Sequence, residues 1–175
     1  MKVEQLIAGN EDAFDELVRE TRGLLMSLAM GLLMDREEAK DAVQDCYLRF
    51  WRARRKLDPE GNVKAYLATI VRNVCLTRLK RNRPQLSLES VPEPESGHER
   101  SATLAVREVL QAAMRILSDK EREVVALIHY MGMDSREVGA VLGQSDSTIR
   151  SRYQAARVRM RNHIIRNYPE FARTI

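Results

Sequence analysis

Two cysteines, Cys46 and Cys75, in 175 residues are too few for a disulfide framework, and both fall inside helical apolar patterns. Each reads as a small buried hydrophobe of a reducing compartment. The three histidines, His98, His129 and His163, stand far apart with no ligand spacing to either cysteine, so no zinc site is indicated. A phosphate-cradling glycine-rich loop and a glycine-flanked serine nucleophile are both missing. Asp41 and Asp45 lie one helical turn apart, but no partner histidine stands near them to make a metal or acid pair. No enzyme activity, cofactor or metal is expected. Long apolar runs are scarce too: Gly23 to Met34 covers about twelve residues, enough for a buried helix and too short to span a bilayer. The N-terminus lacks the basic, apolar and cleavage-site succession of a signal peptide. We therefore expect a cytoplasmic chain with no membrane insertion.

What the chain does have is clustered positive charge. The formal net charge is only +4. Three windows, however, hold five or six Lys and Arg and no acid: Arg49 to Lys56, Arg72 to Arg83, and Arg150 to Arg166. A polyanion is the natural partner.

The last window belongs to a stretch with helical period. Asp134 and Ser135 offer capping oxygens to a short helix with Val138, Val141 and Leu142 on its apolar side, small Gly139 inside it, and Gly143 at its end. Ser145, Asp146 and Ser147 then start a longer helix whose buried stripe is Ile149, Tyr153, Ala156 and Met160. The opposite side carries Arg150, Gln154, Arg157 and Arg161, with Ser147, Thr148 and Ser151 near the N-terminal end. Two helices joined by a tight glycine turn, the second with a basic, hydroxyl-rich face, describe a helix-turn-helix. Arginine reaches phosphate or the guanine edge, Gln can bridge adenine, and Ser or Thr at a helix start can bond phosphate. An ordinary solvated helical hairpin would share the composition, but not the coincidence of glycine turn, serine-rich start and one-sided arginine stripe.

Earlier in the chain, Asn10 is expected to cap a helix beginning at Glu11, with Phe14, Leu17 and Val18 on its apolar side. Gly23 is expected to punctuate, and the apolar segment to Met34 to form the central helix of a bundle. Asp35 caps a helix over Arg36 to Lys56 with the stripe Ala39, Ala42, Val43, Cys46, Tyr47, Phe50 and Trp51. Its outer face changes from acidic (Glu37, Glu38, Asp41, Asp45) to basic, which suits the helix dipole as well as two different partners. After the breaker-rich loop from Asp58 to Asn62, a helix with core residues Val63, Tyr66, Leu67, Ile70, Val71, Val74 and Cys75 ends in Arg78, Lys80 and Arg81. Arg72 and Asn73 lie off its stripe. From Pro84 the texture turns acidic and proline-bearing, which reads as a linker. Helices resume near Thr103, with Leu104, Val109, Leu110, Ala113, Met114 and Leu117 on one face. Ser118 and Glu121 form a capping box for the next helix, whose apolar side is Val124, Val125, Leu127, Ile128 and Met131. These two helices are expected to roof the helix-turn-helix. The expectation is an all-α chain of two small helical domains, 1–83 and 103–175, joined by a flexible linker, 84–102.

With those residues in hand, the chain resembles the extracytoplasmic-function (ECF) group of bacterial RNA polymerase sigma factors. The resemblance rests on A-K-D-A-V-Q-D-C-Y-L-R-F-W from Ala39 and A-Y-L-A-T-I-V-R-N-V from Ala65. In the second half it rests on L-S-D-K-E-R-E-V from Leu117 and S-R-E-V-G-A-V-L-G-Q-S-D-S-T-I-R-S-R from Ser135. It implies a sigma region 2-like first domain and a region 4-like second one. It also implies that Asp41, Gln44 and Asp45 dock on the clamp of the β′ subunit of core polymerase. Asn62, Val63, Arg72, Asn73, Arg78 and Lys80 would hold the melted −10 element, with a flipped base taken up near Asn73. Ser147, Thr148, Arg150, Ser151, Gln154, Arg157 and Arg161 would read the upstream −35 element as duplex. Promoter DNA, core polymerase and an anti-sigma factor are the implied partners. Lys40, Tyr66, Thr77, Ser147 and Ala155 depart from the residues common in the group. A stand-alone helix-turn-helix regulator and a helical adaptor without a DNA role are the alternatives.

Overall fold

Short polar side chains set the helix starts. Asn10 Oδ1 accepts the Ala13 N–H at 2.8 Å, and Asp35 Oδ1 accepts the Glu38 N–H at 2.9 Å. Ser118 and Glu121 form a reciprocal capping box, as do Asp134 and Glu137. Gly132 and Gly143 close two helices in the left-handed conformation, at φ 66° and 64°.

The protein is seen here as a computed structural model that describes residues 3–81 and 102–171. Among them all regular structure is helical: α1 (Val3–Ala8), α2 (Glu11–Leu33), α3 (Arg36–Ala53) and α4 (Val63–Arg81), then α5 (Ala102–Arg115), α6 (Asp119–Met131), α7 (Ser135–Leu142) and α8 (Asp146–Asn167). Short 3-10 turns follow α3 (Arg54–Lys56) and α8 (Pro169–Phe171). The expected linker lies outside the described residues, apart from Ala102 at the start of α5.

Gly23 does not interrupt the chain as expected. Helix α2 runs through it unbroken, and a Cβ there would meet nothing within 4 Å. A lone helical glycine costs about 1 kcal/mol against alanine, less than the burial of Leu17, Leu25, Leu28 and Leu32 on the same helix returns. Its C-terminal half is apolar on every side because it has partners on every side: α3 and α4 on one, α6 on the other.

The two helical units also touch each other through that last contact. Helices α5 and α6 do lie on α8, but α6 also lies along α2. A single core runs from Leu28, Leu67 and Val71 of the first half to Val124, Leu127, Val138 and Ile149 of the second. Tyr66 and Leu110, expected in the core, are 37% and 47% exposed. Tyr66 lines a cleft between α4 and α7, and Leu110 borders the grooves flanking α5. Periodicity placed them on an apolar stripe whose margin the partner helix does not reach.

Two residues bear on stability. Burial pushes the Glu121 carboxyl up, but the Ser118 hydroxyl and N–H, with Arg159 and Arg152, outweigh it and hold it below its ordinary 4.5. A lowered folded value means the stabilisation is fully present above that ordinary value and is lost as pH falls through the folded one. Glu121→Gln should therefore lower the thermal midpoint at pH 7, and the gap to the parent should close towards pH 3. An equal gap at both pH values would disprove the ionic origin. Gly139 is the second: its Cβ would lie 2.7 Å from the Gln144 carbonyl oxygen. Gly139→Ala should cost about 1–3 kcal/mol in urea unfolding, since backbone must move to admit the methyl.

Candidate nucleic-acid interface

Helices α7 and α8 are held to each other at their starts. Ser135 Oγ donates to Asp146 Oδ1, joining the first residue of one helix to the first of the other. The Gln144 N–H donates to Gly139 O at 2.9 Å, which brings the backbone so close to Gly139 that only glycine fits. Ser145 caps α8 by accepting the Thr148 N–H at 3.3 Å. Ile149 and Ala156 are fully buried and Tyr153 and Met160 partly so, as the sequence period requires, and Ile164 extends the stripe.

The opposite face is open. Ser147, Thr148, Arg150, Ser151, Gln154, Arg157 and Arg161 are all exposed, in one strip about four turns long. Arg150 pairs with Asp146 at 3.0 Å across the solvent-facing surface. The Arg157 guanidinium sits 5.7 Å from the Tyr153 ring centre, and the Tyr153 hydroxyl bonds His129 Nε2 of α6 at 2.8 Å. His129 thus braces α8, a role its isolated place in the sequence did not reveal.

The residues expected at the melted strand are placed less uniformly. Asn62 caps α4, its side-chain oxygen accepting the Ala65 N–H at 3.1 Å, and Val63 is buried in the core. Asn73 and Lys80 are exposed. Arg72 is only 20% exposed: its NH1 donates to Asn73 Oδ1 at 3.1 Å and its NH2 to Glu123 Oε2 of α6 at 3.2 Å. Glu123 carried no signal in the sequence.

Arg78 turns towards α3. Its guanidinium bonds Asp45 at 2.7 Å and Glu38 at 2.8 Å, and lies 3.9 Å from Asp41. Those bonds from Asp45 and Glu38 raise its pKa further above the ordinary arginine value. Two of the expected docking acids therefore share one network with an expected melting residue. Gln44 is exposed beside them and borders an apolar groove of Phe14, Tyr47, Leu48 and Trp51, with Glu11 and Asp15 on its rim. The aromatic part of that surface was read from the sequence as core. Cys46 of α3 and Cys75 of α4 are fully buried, and burial pushes each thiol up to about 12.

No group of His, Cys, Asp and Glu able to hold a metal occurs among the described residues, and no helix among them is long and apolar enough to cross a membrane. The chemistry on offer is of surfaces: a one-signed strip on α8, mixed polar and basic groups on α4, and acids beside aromatics on α3.

Comparison with known proteins finds a family match for each half of the chain. The family model described as Sigma-70 region 2 matches residues 17–85, and that described as Sigma-70, region 4 matches residues 107–160. The chain is 31% identical over 156 residues to ECF RNA polymerase sigma factor SigM of Mycobacterium tuberculosis, covering 88% of this chain and 78% of that one. It is 27% identical over 177 residues to Probable RNA polymerase sigma factor RfaY of Xanthomonas campestris, covering 95% of this chain but 44% of that relative's length. Among solved structures, CnrH in complex with the cytosolic domain of CnrY superposes with a TM-score of 0.76 at 26% identity, covering 95% of this chain and 96% of that one.

Proposed function

This chain belongs to the extracytoplasmic-function group of bacterial RNA polymerase sigma factors, and we propose that it directs core polymerase to specific promoters and assists their opening. Its residues act by binding and positioning rather than by catalysis. In this reading Asp41, Gln44 and Asp45 of α3 dock on the clamp of the β′ subunit. The exposed strip of α8 then reads the upstream −35 element in the major groove, arginines on phosphates and guanine edges and Gln154 on an adenine edge. Asn62, Val63, Arg72, Asn73, Arg78 and Lys80 serve the −10 element, cations holding the displaced strand while a base is drawn out of the stack. The division into 1–83, 84–102 and 103–175 is part of the same proposal, the linker spanning the two DNA elements. An anti-sigma factor is the expected regulatory partner, CnrH having been solved with the cytosolic domain of CnrY on it.

The observation that carries the reading is the opposition of charge. An uninterrupted basic and hydroxyl strip faces solvent on α8, while α3 of the other half presents acids beside an aromatic groove. A duplex and a protein partner ask for those two surfaces. The deciding experiment is run-off transcription with bacterial core polymerase on a library of upstream regions. Defined transcripts only in the presence of this protein are the expected result. A protein that shifts duplex DNA alone, neither binding core nor starting transcription, would be a stand-alone regulator instead.

A further inference from the structure

Several arginines at helix contacts are met by carboxylates: Arg72 by Glu123, Arg78 by Asp45 and Glu38, Arg159 by Glu121. Arg36 at the start of α3 and Arg107 and Arg115 of α5 are not. All three are exposed and line one groove between α2, α5 and α6, and no acid lines it with them. Among the described residues their guanidiniums have no hydrogen-bond or ion-pair partner. The Tyr130 hydroxyl, half-buried in the same groove, has no hydrogen-bond partner either. Burial pushes that phenol up and Arg107 draws it back, which puts the cation beside it. The rest of the groove is apolar and pliable. Met26, Met30 and Met34 recur every fourth residue along α2, a rise of about 12 Å. Met114 lies across from them, beside Val106 and Leu110, which are 44% and 47% exposed.

We propose that this groove binds a small amphipathic anion, a carboxylate on an unbranched hydrocarbon chain. The chain lies along the methionines, and Arg107 and the Tyr130 hydroxyl hold the carboxylate. Arg36 and Arg115 add to the positive field. The volume, about 540 Å³, falls in the range of small-molecule sites, which join an apolar lining to a few convergent polar groups. Unbranched thioether side chains reshape around a flexible chain, and a guanidinium fork matches a carboxylate's two oxygens. Thioethers are also soft metal ligands, but three cations without a counter-charge oppose a metal ion and call for an anion. Chain binding would cover Val106 and Leu110. No residue proposed to dock polymerase or to contact DNA lines the groove, so the site is separate from those surfaces.

Titration of the full chain, labelled with ¹³C at the methionine methyls, tests this with sodium octanoate as probe, kept below its micelle onset. Of the eight methionines, Met26, Met30, Met34 and Met114 should shift saturably, with a dissociation constant below about 1 mM. Octanol, the same chain without the charge, should bind at least about tenfold more weakly. Arg107→Gln should weaken octanoate about tenfold and leave octanol unchanged. Leu110→Asp, which puts an acid on the exposed wall, should weaken octanoate at least as much. Arg166→Gln removes the same charge from an exposed position of α8 outside the groove and should change neither affinity. Circular dichroism verifies that each variant folds. Equal affinity for octanoate and octanol would reduce the groove to an apolar surface, and an equal loss in Arg166→Gln would reduce the effect to net charge. Equal shifts at all eight methionines would remove the site. Capture of anionic vesicles or of an acidic amphipathic peptide, without a saturable response to octanoate, would overturn the proposal in favour of that occupant.

Discussion

Replacing Arg150 and Arg157 together with glutamate should reduce transcription from the cognate promoter at least about 100-fold without changing the fold. Both arginines lie on the exposed face of α8, away from Ile149, Ala156 and Ile164, which hold the helix to the core. Arg150 is engaged with Asp146 in the free protein, but an exposed pair of that kind is worth only about 0–1 kcal/mol and yields readily to a guanine edge or a phosphate. The Arg157 guanidinium lies 5.7 Å from the ring centre of Tyr153, itself tied to His129, and faces solvent where this reading places the duplex. Each well-formed arginine contact discriminates by about 1–3 kcal/mol, and reversal adds repulsion from the phosphates. Run-off transcription measures the loss, and an unchanged thermal midpoint shows that folding is not its cause. Transcription at the parental level would remove α8 from promoter recognition and favour a helical adaptor without a DNA role.

Asp41→Lys should produce the second large effect, in a different assay. Asp41 is 65% exposed and stands 3.9 Å from Arg78, whereas Asp45 is bonded to Arg78 at 2.7 Å. Reversal at Asp41 therefore alters the outward surface while leaving the bonds between α3 and α4 in place. Reversal at Asp45 would also undo those bonds, so a loss there would have two causes. A close charge pair at a protein interface carries about 2–5 kcal/mol when one partner is lost. The affinity for core polymerase should fall roughly 30-fold or more, read by fluorescence titration of labelled protein with core. Duplex contacts through α8 should not change, and a variant that binds core as tightly as the parent would move the docking surface away from α3.

Short-range features of this protein could be read from the chain because their partners lie within a turn or two. The capping box of α6, the capped start of α7, the glycine that ends α7 and the stripe of α8 are all interactions at separations of three to five residues or repeats of the helical period. The same arithmetic failed at margins. Tyr66 and Leu110 satisfy the period, yet their neighbours stop short of them, and Gly23 satisfies the pattern of a breaker inside a helix that burial on both sides keeps whole.

The sequence by itself determined the helical class, the helix-turn-helix, the one-signed face of α8 and the acid-to-base gradient of α3. Local propensity and periodicity act on each segment before it meets another. Only the tertiary structure decided which charges neutralise which. Arg78 finds Asp45 and Glu38 at separations of 33 and 40 residues, and Arg72 finds Glu123 at 51. Nothing in the spacing of those residues distinguishes them from freely solvated neighbours. Their pairing follows from apolar burial that lays α4 on α3 and α6 on α2, since burial is non-directional and the charges it brings together are settled by where the helices come to rest.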